Sequence, residues 1–222
     1  MNLNPENKFF SLMSLIGDLV LLNLLFVVTS LPILTIGASS CALYLSVKKR
    51  TCGEESYIIK DYMKAWKENL KSGVCIWCIL LVFLICMIFF TSYVASHLTN
   101  LTAIVLYSFL FMWLSFTLLY AFPLQATFVN TPLKIILNSI LTALRHLPWT
   151  LALFLATYTP LILTLAFPKA VSFTFFYWLL IGFSLSMVFS ALILKRVFIA
   201  YLPVEEDTEE NIEMGTEEKT EI

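Results

Sequence analysis

Apolar residues in this chain come in long unbroken blocks, not at the two- or 3.6-residue period of a half-buried strand or helix. Five blocks stand out, at about 12–34, 72–96, 101–128, 149–167 and 172–194. Each reaches or exceeds the roughly 17–25 residues that a helix needs to cross a hydrocarbon core about 30 Å thick. Continuous apolarity favours helices over the alternating strands of a membrane barrel, because a helix satisfies its backbone polar groups within its own segment. The pattern predicts an all-α membrane protein with a five-helix transmembrane bundle. The links at 96–100 and 168–171 are short enough to make two helical hairpins.

Two further stretches, 57–71 and 132–146, have the period of amphipathic helices and each leads directly into a spanning block. In the first, Lys60, Lys64, Lys67 and Lys71 recur at helical spacing, with Ile59, Tyr62, Met63, Trp66 and Leu70 opposite. Lysine stems beside a tryptophan suit the headgroup layer of an anionic leaflet; they equally suit a solvated helix packed on its own bundle. The second opens on Thr131-Pro132, an N-cap residue followed by proline at the first helical position. Lys134, Asn138, Thr142 and Arg145 form its polar stripe, Leu133, Ile136, Leu137, Ile140, Leu141 and Leu144 its apolar face, and Pro148 stops it. Lysine placement puts both helices on the cytoplasmic side.

The oddest local feature lies between the first block and the first lysines. Pro32, Thr35 and Gly37 interrupt an apolar run that continues into the small residues Ala38, Ser39, Ser40, Cys41 and Ala42. This predicts a break, then a short helix over about 38–49 that packs closely on its neighbours or re-enters the bilayer. An ordinary helix end with a capping glycine is the alternative.

Composition agrees with the blocks. The 222 residues are 59% hydrophobic and only 13% charged, where a soluble domain carries about 25% charged residues. The net charge of −1 hides an asymmetry: nine acidic residues lie between Glu205 and Glu221, opposed only by Lys219. Residues 1–202 therefore read as the membrane domain and 203–222 as a disordered acidic tail. Twelve lysines and arginines fall on one side of the predicted spans and two, Lys8 and Lys169, on the other. The positive-inside rule then places the N-terminus outside and the C-terminus in the cytoplasm. No cleavable signal peptide is expected, since the first block is too long for one.

Candidate chemistry is sparse. Asp18 is the only ionisable residue firmly inside a spanning block, a few residues from its predicted outer end; intramembrane carboxylates are rare and often functional. Fifteen Leu, Ile, Val or Phe residues in that block, at roughly −0.3 to −0.6 kcal/mol each, outweigh the cost of about 3 kcal/mol for one aspartate. Asn23 is the other candidate intramembrane polar residue, but five residues further on lies about 140° round a helix, away from Asp18. Cys75-Ile76-Trp77-Cys78 has redox spacing without the βαβ setting that gives it meaning, and the five cysteines suit apolar packing. His97 and His146 fall on opposite predicted sides. Gly182, Ser186 and Ser190 recur every four residues as a candidate helix-packing face. No acid, base, nucleophile, metal set or cofactor motif emerges. The expectation is a protein that is not an enzyme, with no metal, cofactor or nucleic-acid partner, and with a homo-oligomer left open.

The stretches 18–25, 30–38 and 42–44, then Trp66-Lys67-Glu68-Asn69-Leu70-Lys71, Tyr120-Ala121-Phe122-Pro123-Leu124 and Arg145-His146-Leu147-Pro148, resemble the YesL-like family of bacterial integral membrane proteins, domain of unknown function 624. The resemblance covers about 9–200 and is strongest over 17–44. It implies a bacterial cell membrane and companionship with carbohydrate-uptake systems, and it brings no catalytic residues. The expected function is an accessory or interaction component linked to carbohydrate uptake or the cell envelope, with the lipid bilayer and a transporter or regulatory membrane protein as partners. The alternative is a small carrier or channel using Asp18 and Asn23.

Overall fold

Helix begins and ends in this protein where proline, glycine or a lone polar residue interrupts the apolar pattern. A computed structural model describes residues 5–53, 57–96, 101–128, 130–166 and 171–198. His97, Lys169 and the acidic tail lie outside the described residues. Helix α1 runs Pro5–Ser30; a 3-10 turn over Ile33–Thr35 follows, and then α2, Ile36–Thr51. After it come α3 (Ile58–Glu68), α4 (Leu70–Ser96), α5 (Leu101–Thr127), α6 (Pro132–Arg145) and α7 (Leu147–Ala166). The last rod is α8 (Val171–Tyr177), a π turn (Trp178–Gly182) and α9 (Phe183–Phe198).

Five segments are long and apolar enough to cross a bilayer: Met13–Ser30, Leu70–Tyr93, Leu101–Thr127, Leu147–Thr164 and Thr174–Phe198. The chain is a multi-pass helical membrane protein. The first block stops at Ser30, four residues short of the expected end, because Pro32 cannot continue the hydrogen-bond ladder.

The short helix α2 is the hub. It packs against α1, α3, α4, α5 and α9, and Gly37, Ala38, Ser39, Cys41, Ala42, Leu43, Tyr44, Ser46 and Val47 are all buried. Small residues let neighbouring backbones come close, where lipid offers no hydrophobic push between helices. The tightest crossing is at Gly37. A Cβ there would overlap the Gly73 carbonyl oxygen of α4 and lie 2.8 Å from Trp77 Cβ. A Cβ on Gly73 would in turn stand 2.8 Å from the Ala38 nitrogen. The turn before α2 is tied by Thr35, whose hydroxyl donates to the carbonyls of Thr29 (2.6 Å) and Pro32 (2.7 Å).

Single residues join the amphipathic helices to the spans that follow. Asn69 separates α3 from α4, buried with its amide donating to Ala65 O, so Lys71 belongs to the first turn of α4 and not to the lysine row. His146 separates α6 from α7, and Pro148 sits in the opening turn of α7. Thr131 precedes Pro132 as expected, but its hydroxyl makes no capping bond; its carbonyl accepts from the Ile135 N–H at 3.0 Å.

Helix α6 has three faces, not two. Ile135, Ile136, Ser139, Thr142 and Ala143 are buried. Leu133, Leu137, Leu141 and Leu144 point away from the bundle, each more than half exposed. Lys134, Asn138 and Arg145 are also exposed, beside the leucine row. Thr142 thus leaves the expected polar stripe: its neighbour Ser139 donates to Ile135 O, and both serve the packed face.

Candidate functional site

Asp18 and Asn23 leave α1 on different faces and enter different hydrogen-bond sets. Asp18 Oδ2 accepts from Arg50 Nε at 2.5 Å, and Arg50 Nη2 reaches Ser14 Oγ at 3.2 Å. Both charged side chains are about a quarter exposed, at 26% for Arg50 and 23% for Asp18. The pair exists because α2 folds back along α1, carrying its last turn, Lys48-Lys49-Arg50, to the middle of that helix. A charge at apolar depth is expensive alone and tolerable when paired. Lys49 leans the other way and meets Asp61 of α3 at 3.5 Å.

The ion pair brings Arg50, a loop cation in the sequence reading, to the level of Asp18 along α1.

Asn23 is fully buried and all its donors are used. Its Nδ2 donates to Trp178 O (3.0 Å) and Leu179 O (2.7 Å), and its Oδ1 accepts from the Ser184 N–H at 3.0 Å. The two carbonyls belong to the π turn of the fifth rod, and the Ser184 N–H lies just past it. A π turn carries one residue more per hydrogen-bonded loop than an α turn and so dislocates the ladder. The side-chain amide of Asn23 supplies a donor pair and an acceptor where the ladder is interrupted. Phe26, one turn on, packs its ring tilted against Phe183 with centroids 5.0 Å apart, and Phe183 also meets Trp178.

The π turn also changes the candidate packing face. A Cβ on Gly182 would meet the Trp178 ring at 2.7 Å and the Tyr177 ring at 3.1 Å, so the glycine makes room for its own helix. Ser190 is buried and its hydroxyl returns to Ser186 O at 2.9 Å.

A second polar set ties α5, α6 and α7 together. Tyr120 Oη and Thr150 Oγ1 lie 2.8 Å apart, and Thr150 Oγ1 also donates to Ala143 O at 2.8 Å. The Cys41 thiol points at Phe122 O, 3.5 Å away, and Gln125 donates to Ser72. Tyr62 of α3 shares a 2.7 Å hydrogen bond with Thr29, and burial pushes its hydroxyl up to about 12. Cys75 is an exposed thiol and Cys78 a half-buried one in the first half of α4, and the described residues hold no group of three His, Cys, Asp or Glu able to hold a metal.

Three residues and one turn central to this arrangement were not singled out in the sequence. Arg50 read as one of seven loop cations. Ser14 and Gly73 are ordinary in a helix. The π turn has no composition signal, though Gly182 marks its end. Asp18 and Asn23 were singled out as intramembrane polar residues, without a sign of their partners.

Residues 19–93 match the family model described as Protein of unknown function, DUF624, and over that stretch the chain is similar to the family. The match holds most of the 17–44 stretch of strongest resemblance, together with α2, α3 and most of α4. No curated protein and no solved structure matches the chain.

Proposed function

We propose that this membrane protein is a non-enzymatic accessory component that docks on another membrane protein, in a bacterial cell membrane and in service of carbohydrate uptake or the envelope. The observation that carries the reading is the leucine ridge. Leu133, Leu137, Leu141 and Leu144 stand outward on α6, and Leu147, Leu151 and Leu155 are likewise more than half exposed on α7. Spacings of three and four residues make a ridge on each helix, the form in which a helix packs into a groove or against another helix. The intramembrane polar residues support the same reading, because Asp18 and Asn23 are committed to contacts that hold the bundle together. The link to carbohydrate uptake comes from the family resemblance. In this reading the lysine-rich connections face the cytoplasm, as the positive-inside rule directs.

The test is affinity purification after gentle solubilisation, with a photo-crosslinking residue at Leu141. The expected result is a crosslink to a carbohydrate-transporter subunit or its regulator, lost in Leu137→Ala/Leu141→Ala. Repeated recovery of the chain with lipid alone sinks the proposal. The carrier or channel alternative has one observation in its favour, a charged pair at apolar depth. Sugar or ion flux into liposomes that Asp18→Asn abolishes would establish it.

A further inference from the structure

We propose that the groove between α1 and α3 is a binding site for one anionic phospholipid, its phosphate held by Lys60, Lys64 and Lys67 and its chains laid on Leu21, Ile59 and Met63. The groove has a volume of about 880 Å³, large enough for a headgroup and the upper part of two acyl chains. The site goes beyond the docking role and stands or falls separately from it.

The order of residues round α3 argues for the occupant. At 100° per residue, buried Tyr62 and Ala65 occupy one arc. Next come Ile59 and Met63, then Lys67, Lys60 and Lys64, then Glu68 and Asp61. An apolar strip therefore borders a basic strip, and Leu21 of α1 extends the apolar floor across the gap. The acidic residues do not neutralise the basic strip. Asp61 faces Lys49 at 3.5 Å, and Glu68 touches only Lys64, at 4.0 Å. Among the described residues no carboxylate pairs with Lys60 or Lys67. Tyr57 lies more than four-fifths exposed at the groove's edge, as interfacial aromatics do.

A free phosphate would use the lysines and have no use for the floor. A zwitterionic lipid would use the floor and bring no net charge to the lysines. An anionic phospholipid uses both. Lysine ammonium groups act as point charges on flexible stems, suited to a phosphate that varies in position. Lys71, on α4, is not among the residues lining the groove.

Native mass spectrometry of the full chain in mild detergent tests the site. Phosphatidylglycerol and phosphatidylcholine with identical chains are offered in equal amounts. One phosphatidylglycerol should be retained in preference to phosphatidylcholine by about fivefold or more. Lys60→Gln/Lys64→Gln/Lys67→Gln should bring the ratio near one, while Lys71→Gln/Lys134→Gln/Lys195→Gln, with equal loss of charge, should keep it. Leu21→Trp, which fills the floor and leaves the lysines, should lower retention as well and covers the case in which the triple variant does not fold. Absence of a preference in the unaltered protein overturns the proposal. So does equal loss in both triple variants, which would mean general charge attraction. Displacement by glycerol phosphate as readily as by phosphatidylglycerol would assign the lysines to a free phosphate and overturn it too.

Discussion

At the scale of single residues, three contacts set the tightest demands. Gly37 and Gly73 cross with no room for a methyl group, since the atoms in the way are backbone. Gly73→Ala should therefore lower stability by about 1–3 kcal/mol, the usual cost of overpacking a close contact. Thermal unfolding in detergent checks this, and a wild-type midpoint would refute the crossing. Asn23→Leu removes three hydrogen bonds. Interhelical bonds in membranes average about 0.6 kcal/mol, so a loss near 2 kcal/mol is expected. Asp18→Asn leaves Arg50 without its counter-charge at a site only a quarter open to solvent; the swap Asp18→Arg/Arg50→Asp should recover part of the loss, and an additive double variant would dissolve the pair. Tyr62 adds a pH effect. Its folded value of about 12 exceeds the free value of 10.0, so the folded state holds the proton more tightly. Its contribution is present in full below pH 10 and lost as pH rises through about 12.

At the scale of elements, the sequence locates helices better than it assigns their faces. The amphipathic pattern of 132–146 gives the right helix, yet its apolar residues divide between the bundle and the outside. Ile135 and Ile136 turn inward while Leu137 and Leu141 turn outward. Periodicity cannot make that division, because both faces are apolar in a helix that meets protein on one side and lipid or a partner on another. The N-terminal cap shows a similar limit. Thr131-Pro132 marks the helix start, but the hydroxyl bonds nothing there. Thr131→Ala should thus cost well under the ~1 kcal/mol of a working cap, measured in the same unfolding assay; a loss of that full size would show that the hydroxyl does cap. The row of lysines at 60, 64, 67 and 71 divides as well, since Asn69 ends α3 and sends Lys71 onto the next helix.

At the scale of the whole molecule, four of the five spans pack on the short helix α2. Cys41 lies at the centre of that hub with no exposed surface, and burial raises its thiol far above the ordinary range. Cys52, just past its end, is exposed. Maleimide should label Cys52 in the folded, detergent-solubilised protein and reach Cys41 only after unfolding; early labelling of Cys41 would break the hub arrangement. In intact cells the proposed orientation shields Cys52 from an impermeant reagent, whereas Lys169→Cys should react from outside.

The sequence alone determined that the chain lives in lipid, how many helices can cross, and that basic residues gather in particular connections. Those properties are sums over neighbouring residues, and a linear pattern carries them completely. It also singled out Asp18 and Asn23 as polar residues within an apolar block. Which partners they took depended on the fold: Arg50 lies 32 residues away and the π turn more than 150. Such pairings arise only when α2 folds back along α1 and the last rod closes on both, because close packing brings together residues whose separation along the chain encodes nothing about their distance in space.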